Sequence, residues 1–358
     1  MITGIANPHS NVFLPQGQGW RVLNAYAVTE TNMLWAQPDA PPHRSYPHAA
    51  LDKCIAESRD ADKHAGNLTN WLQEYDQLGE GEFYGRVEEL TFDRLQVFSE
   101  HTSKALRQQC NVWPNALWLG IPANDQECRI NGMPVSDNTI MCRPGNRDFE
   151  LVTPEAFDIL GIVVDRDLLH RAADIQGVAL PEQRLEQPRL ALPEGTVKDL
   201  RYVLTRLIDS DMPLAAKKHS QDLVMMALLQ VLQREGPAPE QIPSYAHRKA
   251  VVDRVKGHIA EHGEAPVTMT ELCELAHVSR RTLQYSFETI LGVSPLRFLR
   301  VTRLNQVRRA LGEAGAGRTV TDISAEWGFW HAGQFAKDYK QLFGESPSDT
   351  LKRGQRTN

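Results

Sequence analysis

Between Thr268 and Pro347 the sequence repeats itself. Leu283, Phe287, Ile290, Leu291, Gly292, Ser294 and Pro295 recur 52 residues later as Phe335, Tyr339, Leu342, Phe343, Gly344, Ser346 and Pro347. Apolar residues at i, i+4, i+7 and i+8 form one stripe of an amphipathic helix, and the glycine that follows can take the left-handed turn that stops it. Upstream of each copy, Thr268 with Glu271 and Thr319 with Asp322 have the spacing of a capping box, a hydroxyl at the N-cap and a carboxylate three residues on. Leu272 and Ile323 follow as core positions, and Ala276–Ser279 and Trp327–His331 make the turns into the stop-bearing helices. The pattern predicts a helix, a tight turn and a second helix, written twice: two helix-turn-helix units.

With Leu283 and Phe287 facing inward, the outer face of the first unit carries Arg280, Arg281, Gln284 and Tyr285. These side chains can reach base edges and phosphates in a major groove. The matching stripe of the second unit offers His331, Gly333, Gln334 and Lys337 and is the weaker of the two in charge. Between the units, Ser294 and Pro295 start a helix expected over Leu296–Leu311, with Leu299, Leu304, Val307 and Leu311 on its apolar face. Its roughly 16 residues span about 24 Å, a strut able to hold two readers about 34 Å, one DNA turn, apart. A plain helical bundle would share the amphipathic pattern. It would not explain two copies of a Gly-x-Ser-Pro stop joined by a helix carrying Arg297, Arg300, Arg303, Arg308 and Arg309. The segment from about Arg248 to Arg353 resembles the DNA-binding domain of the AraC/XylS family of transcription regulators.

The chain's 358 residues are enough for two domains. Its charge divides accordingly: residues 245–358 hold 17 Lys and Arg against 12 Asp and Glu, and residues 1–244 the other 22 against 33. A basic half and an acidic half imply different partners. Met1 to Gly19 contains no Lys or Arg and no apolar core, so no signal peptide is expected there. No apolar run approaches the ~18 residues of a membrane span. Cys54, Cys110, Cys128, Cys142 and Cys273 are scattered without a C-x-x-C pair and read as reduced thiols, so the expected location is cytoplasmic.

Residues 1–65 read as an N-terminal arm, with Pro38, Pro41, Pro42 and Pro47 close together, and its His43 and His48 read as loop residues rather than metal ligands. Residues 66–235 read as an effector-binding and dimerisation domain, residues 236–247 as a linker marked by Gly236, Pro237, Pro239 and Pro243, and residues 248–353 as the DNA-binding domain. A short helix is expected through Trp71, Leu72 and Tyr75 to Gly79. Strands are expected at Glu82–Leu90, Leu95–Glu100, Cys110–Trp113, Ala116–Ile121, Thr139–Cys142, Phe149–Val152 and Ile159–Val164. The fold class is therefore α+β: a small β-barrel or sandwich sensor with helices, then an all-α domain with two helix-turn-helix motifs. A metal-binding barrel needs several histidines, and Glu82–Val164 holds His101 alone, so no metal site is expected. Without a nucleophile elbow or a phosphate loop, no catalytic residues are expected either, and the sensor reads as a binder. The apolar run from Asp222 to Leu232 is either core packing or a homodimer seam.

Tyr75–Gly85 resembles the entry to the sensor domain of one branch of this family, and Gln109–Ala123 and Phe149–Val164, together with Trp327–Tyr339 and Phe343–Gly344, resemble its ethanolamine-utilisation regulators. The resemblance implies a non-enzymatic activator of ethanolamine-degradation genes. Its partners would be promoter DNA, RNA polymerase and ethanolamine, with adenosylcobalamin as a co-effector in some members. The long arm departs from that pattern, and nothing in the sequence marks a cobalamin site. Phe83, Gly85, Val87 and Glu89 alternate onto one strand face, which places a carboxylate among apolar residues. A buried carboxylate needs a cation or a hydrogen-bond donor, so Glu89, with the indole of Trp118, is the candidate site for a small ammonium ion. The alternatives are pairing of Glu89 with Arg86 or Arg143, or a solvated strand end. Rival functions are an AraC-type regulator of another metabolite, a small-molecule enzyme with a helical assembly domain, and an architectural DNA protein.

Overall fold

A computed structural model describes residues 12–15, 20–23, 52–135, 138–180, 182–209, 217–234, 245–262, 267–315 and 317–357. His43 and His48 lie outside them. Strands β1 (Val12–Pro15) and β2 (Trp20–Leu23) pair as an antiparallel ribbon. The N-terminal domain, expected from sequence to be the sensor, begins with β3 (Asp52–Ser58), α1 (Ala61–Ala65), β4 (Trp71–Gln77), β5 (Gly85–Phe92), β6 (Leu95–Thr102) and β7 (Leu106–Val112). It continues through β8 (Ala116–Pro122), β9 (Cys128–Ile130), β10 (Met133–Val135), β11 (Thr139–Pro144), β12 (Phe149–Thr153) and β13 (Phe157–Asp165). Helices α2 (Arg166–Ile175) and α3 (Glu182–Leu185), strand β14 (Arg189–Ala191), and helices α4 (Thr196–Asp209) and α5 (Lys217–Gln233) complete it.

The strands form two separate sheets rather than a closed barrel. One has the order β10-β9-β12-β7-β4, the other β14-β11-β8-β13-β6-β5-β3. Alternation along each strand sends one set of residues between the sheets. Val87, Phe98, Trp118, Ile159 and Val163 of the larger sheet meet Trp71, Tyr75, Cys110, Phe149 and Leu151 of the smaller there. The other face of the larger sheet, with Leu90, Val97, Leu119 and Ile162, is covered by Leu169, Leu200, Leu204 and Leu228 of the helices. In α5 the sheet-facing side chains Val224, Met225, Leu228 and Leu229 are core, while Leu223 and Met226 stay exposed.

Residues 52–65, read from the sequence as the end of an arm, form the edge strand β3, which pairs along β5, and α1, which packs on β4. The helix expected at Trp71–Gly79 is instead β4, paired antiparallel with β7 from Trp71↔Val112 to Gln77↔Leu106. Trp71 and Tyr75 face the core, while Leu72 between them is 54% exposed, which no helical stripe would produce.

The second half is helical: α6 (Tyr245–His262), α7 (Met269–Ala276), α8 (Arg280–Leu291), α9 (Pro295–Gly312), α10 (Val320–Glu326), α11 (Ala332–Phe343) and α12 (Pro347–Thr357). Both capping boxes form, with Thr268 and Thr319 hydroxyls accepting from the N3 amides of Glu271 and Asp322 and each carboxylate returning to the N-cap amide. Gly292 (φ 70°) and Gly344 (φ 75°) end α8 and α11 in the left-handed region, where a side chain would be strained. Leu283, Phe287, Ile290, Leu304, Val307, Ile323, Phe335 and Tyr339 build one core around α9, and Leu78 and Val152 of the N-terminal domain belong to it. The smaller sheet is thus packed on both faces, against the larger sheet and against the helical half.

Candidate nucleic-acid interface and buried carboxylates

Each helix-turn-helix unit places its second helix with the N-terminal end outward. Helix α8 starts at an N-cap, Ser279, whose hydroxyl accepts from the Thr282 amide. Burying Leu283, Ser286 and Phe287 turns Arg280, Arg281, Gln284 and Tyr285 to the surface, all four exposed. On α11, burial of Phe335 and Tyr339 does the same for His331, Gly333, Gln334 and Lys337. Trp330, 69% exposed in the turn before α11, adds an indole to this region, a position the sequence pattern did not single out. Its signal was a large aromatic residue directly before a reading helix on an otherwise polar face.

The reading side chains are partly held in place. Gln284 Nε2 donates to Glu288 Oε1 at 2.8 Å and Gln334 Nε2 to Asp338 Oδ1 at 2.7 Å, so each amide is steered by a carboxylate one helical turn behind it. The Arg248 guanidinium lies 5.2 Å from the Tyr285 ring centroid. Helix α9 joins the units, and its 18 residues are about 27 Å of rigid spacer.

The basic face of α9 does not add to the DNA-facing charge in the way its sequence suggests. Arg308 grips Asp60 through Nε and Nη2 at 2.9 and 2.8 Å and approaches Glu345 at 3.0 Å. Arg309 donates to Asp62 at 2.7 Å, Asp76 at 3.0 Å and the Tyr75 carbonyl at 2.9 Å. Arg297 donates to the Leu78 carbonyl at 3.2 Å and Arg300 to Asp338. The acidic charge of the N-terminal domain is therefore partly neutralised by the strut. Asp60 shows it: burial pushes its carboxyl up, but Arg308 and the amide of Lys63 outweigh that and hold it below its ordinary value.

Between the sheets, Glu89 is 1% exposed. Its Oε2 accepts from the Thr69 amide at 3.2 Å and hydroxyl at 3.1 Å, and its Oε1 from Thr91 Oγ1 at 3.1 Å and Gln96 Nε2 at 2.8 Å. Neither arginine alternative is realised, since Arg86 pairs with Glu57 and Glu88 and Arg143 donates to the Asp148 carbonyl. Nor is Glu89 at a solvated end. It is a buried carboxylate met by neutral donors. Trp118 lies in the same interior, stacked on Phe149 at 4.6 Å and edge-on to Trp71 at 5.9 Å. Its indole Nε1 is buried with no hydrogen-bond partner among the described residues. Trp71 Nε1 donates to Gln96 Oε1 at 3.0 Å, which links the two aromatic residues to Glu89 through Gln96.

A second buried carboxylate, Glu100, was missed from sequence. It accepts from Tyr75 Oη at 3.0 Å and faces His64 Nε2 at 3.1 Å, within ion-pair distance but out of line for a hydrogen bond. Its signal was the same strand alternation that exposed Glu89, applied to β6. Burial, with Glu100 beside it, pushes the Tyr75 hydroxyl well above its ordinary range, so Tyr75 stays a donor.

The arrangement defines a class: a two-sheet N-terminal domain carrying a pair of helix-turn-helix units on a common strut. The comparisons with known proteins agree. A helix-turn-helix domain model matches residues 272–353. The XylDLEGF operon transcriptional activator 2 of Pseudomonas putida is 35% identical over 119 residues, 31% of this chain and 76% of that protein. The probable thc operon regulatory protein of Rhodococcus erythropolis is 40% identical over 96 residues, 26% of this chain and 29% of its own length, so the matched region spans under a third of that relative. Among solved structures, a probable AraC family transcriptional regulator from Rhodopseudomonas palustris is 33% identical, covering 29% of this chain and 97% of that one with a TM-score of 0.28. The chain belongs to the AraC/XylS family of transcription regulators. Among the described residues, no helix is long and apolar enough to cross a membrane.

Proposed function

We propose that this protein is a sequence-specific DNA-binding transcription activator that responds to a small amine, ethanolamine, and controls genes for its catabolism. The observation that carries the DNA-binding part is the pair of reading helices, each with its polar stripe exposed and its core stripe buried on a shared strut. Arg280, Arg281, Gln284 and Tyr285 form the first reader, and His331, Gly333, Gln334 and Lys337 the second. Both relatives described above are named as operon regulators, and one as an activator. RNA polymerase is the partner that activation requires. A homodimer, joined through the exposed Tyr202, Leu223 and Met226 of α4 and α5, would present two such reader pairs.

The effector would bind in the packed interior between the sheets, at Glu89 and Trp118. An ammonium ion binding Glu89 must displace one of its four donors, and the Thr69 and Thr91 hydroxyls can rotate away at little cost. The unpartnered Trp118 Nε1 is a donor for the ligand's hydroxyl oxygen. Adenosylcobalamin does not fit between the sheets. Trp71, Phe98, Trp118 and Phe149 fill this interior with ring centroids 4.6–6.3 Å apart, leaving no space for a corrin. Fluorescence anisotropy of a promoter duplex with the full chain, titrated with and without ethanolamine, tests the whole reading. An ethanolamine-independent affinity removes the effector, and equal affinity for an unrelated duplex removes the sequence-specific function.

A further inference from the structure

Three parts of the DNA-reading half are gripped by the sensor, and one sensor residue, Gln77, touches two of them. Gln77 is the last residue of the edge strand β4 and is 2% exposed. Its backbone pairs with a side chain of the strut as an edge strand pairs with a neighbour: the Gln77 amide donates to Asn305 Oδ1 at 3.0 Å, and Asn305 Nδ2 donates to the Gln77 carbonyl at 3.1 Å. Asn305 is itself 4% exposed in the interior of α9, where its Nδ2 also donates to the Val301 carbonyl one turn back at 2.9 Å, so both atoms of this buried amide are partnered. The Gln77 side chain points the other way. Its Nε2, with two hydrogens, lies within hydrogen-bond distance of three carbonyls that share them, those of Gly79 at 2.8 Å, Gly81 at 2.7 Å and Leu342 at 2.6 Å.

Leu342 lies in the last turn of α11, where carbonyls have no partner within the helix. The amide of Gly81 adds to this, donating to Gln341 O and Leu342 O at 3.1 Å each. The C-terminal end of the second reading helix is therefore capped from the sensor. The first reading helix is also backed by the sensor, since a side chain at Gly132 would collide with Ile290 of α8 at 2.6 Å. Both readers thus meet the sensor at their C-terminal ends, and the strut between them is pinned at Asn305.

We propose that Gln77 is a positioning residue for DNA reading: by tying the strut and the second reading helix to one sensor strand, it fixes the spacing between the two readers. The inference rests on the DNA-binding function proposed above. It predicts that the sensor sets which half-site separation the protein accepts, while the base preferences within each half-site belong to the reading helices alone. Gln77 follows Tyr75 and Asp76 on β4, where Tyr75 faces the packed interior between the sheets, so a shift of this strand would reach the readers through the same residue.

The test uses the full chain and a pool of duplexes with two randomised half-sites, separated by spacers varied around one helical turn, about 10 base pairs. Wild type should enrich one spacing. Gln77→Ala and Asn305→Ala should enrich the same half-site sequences over several spacings, with affinity for the wild-type duplex lower by about tenfold. Gln77→Met, which keeps the volume and removes the donors, should behave alike, and far-UV circular dichroism checks that each variant is folded. Loss of thermal stability with an unchanged spacing profile would show a purely structural role and overturn the proposal. A wild-type chain that enriches no sequence would instead overturn the DNA-reading function, and this inference with it.

Discussion

Replacing Glu150 by leucine should cost this protein about 3 kcal/mol at neutral pH, and adding Lys256→Met should return most of it. Glu150, on the outer face of β12, accepts from Arg107 Nε at 2.6 Å and from Lys256 Nζ of α6 at 2.5 Å, with its side chain 12% exposed. Burial alone would raise its carboxyl, but Lys256 and Arg107 outweigh that and bring it down to about 2. The fall from an ordinary value of 4.5 is worth roughly 3 kcal/mol at about 1.4 kcal/mol per pH unit. The Lys256 amine is lowered too, which disfavours its charged form: burial lowers it, and Glu150 only partly compensates. The carboxylate carries the stabilisation, because two cations face it, while Lys256 also feels the repulsion of Arg107. Removing the carboxylate leaves Lys256 buried beside Arg107, whereas Arg107 keeps Asp76 at 3.1 Å. Replacing a buried pair by apolar residues is often close to neutral, while breaking it is not. Urea melts of the two single variants and the double variant form the cycle. Simple additivity of the two losses would refute the reasoning. The sign with pH also follows: the folded carboxyl is depressed, so the stabilisation is present above the unfolded value of about 4.5 and is lost as pH falls toward about 2.

Other outcomes are expected at the readers and at Glu89. Arg281→Ala and Gln284→Ala should lose discrimination at particular base pairs, about 1–3 kcal/mol each, measured as the affinity ratio between a selected and a random duplex; an unchanged ratio removes them as base readers. Lys337→Ala should weaken binding about equally across sequences and flatten the salt dependence by roughly one unit, and a changed base preference with the same slope would show that it reads sequence. Glu89→Gln keeps the shape and removes the charge, so calorimetry should show ethanolamine affinity at least about tenfold lower; unchanged affinity excludes Glu89 from the site.

The helical half was legible because its signals are local. Capping boxes, the glycine stops and the i, i+4, i+7 stripes are set by neighbours in sequence, and the core at Leu283, Phe287, Phe335 and Tyr339 follows from them. Strand β4 was misread for a tertiary reason. Its outer residue Asp76 and its last residue Gln77 are buried against the helical half, and Leu72 is exposed, so the Trp71, Leu72, Tyr75 spacing mimics a helix. The edge strand β3 and the three-residue strands β9, β10 and β14 are too short or too polar to show alternation. The reader stripes were visible as surfaces left over once the core was assigned. The arginines of α9 were visible as charge, but not their partners, which come from Asp60, Asp62, Glu74 and Asp76 more than 200 residues away in sequence. The burial of Glu89 was foreseeable from alternation; its four neutral donors, drawn from the 67–70 turn, β5 and β6, were not.

The most direct test of the account is the affinity of the full chain for its selected duplex against a scrambled duplex of the same length and composition, by fluorescence anisotropy at physiological salt. Two readers on one strut predict a ratio of at least about a thousandfold, falling toward unity when Arg281 and Gln284 are both replaced by alanine. Equal affinity for the two duplexes in the wild-type chain would contradict it.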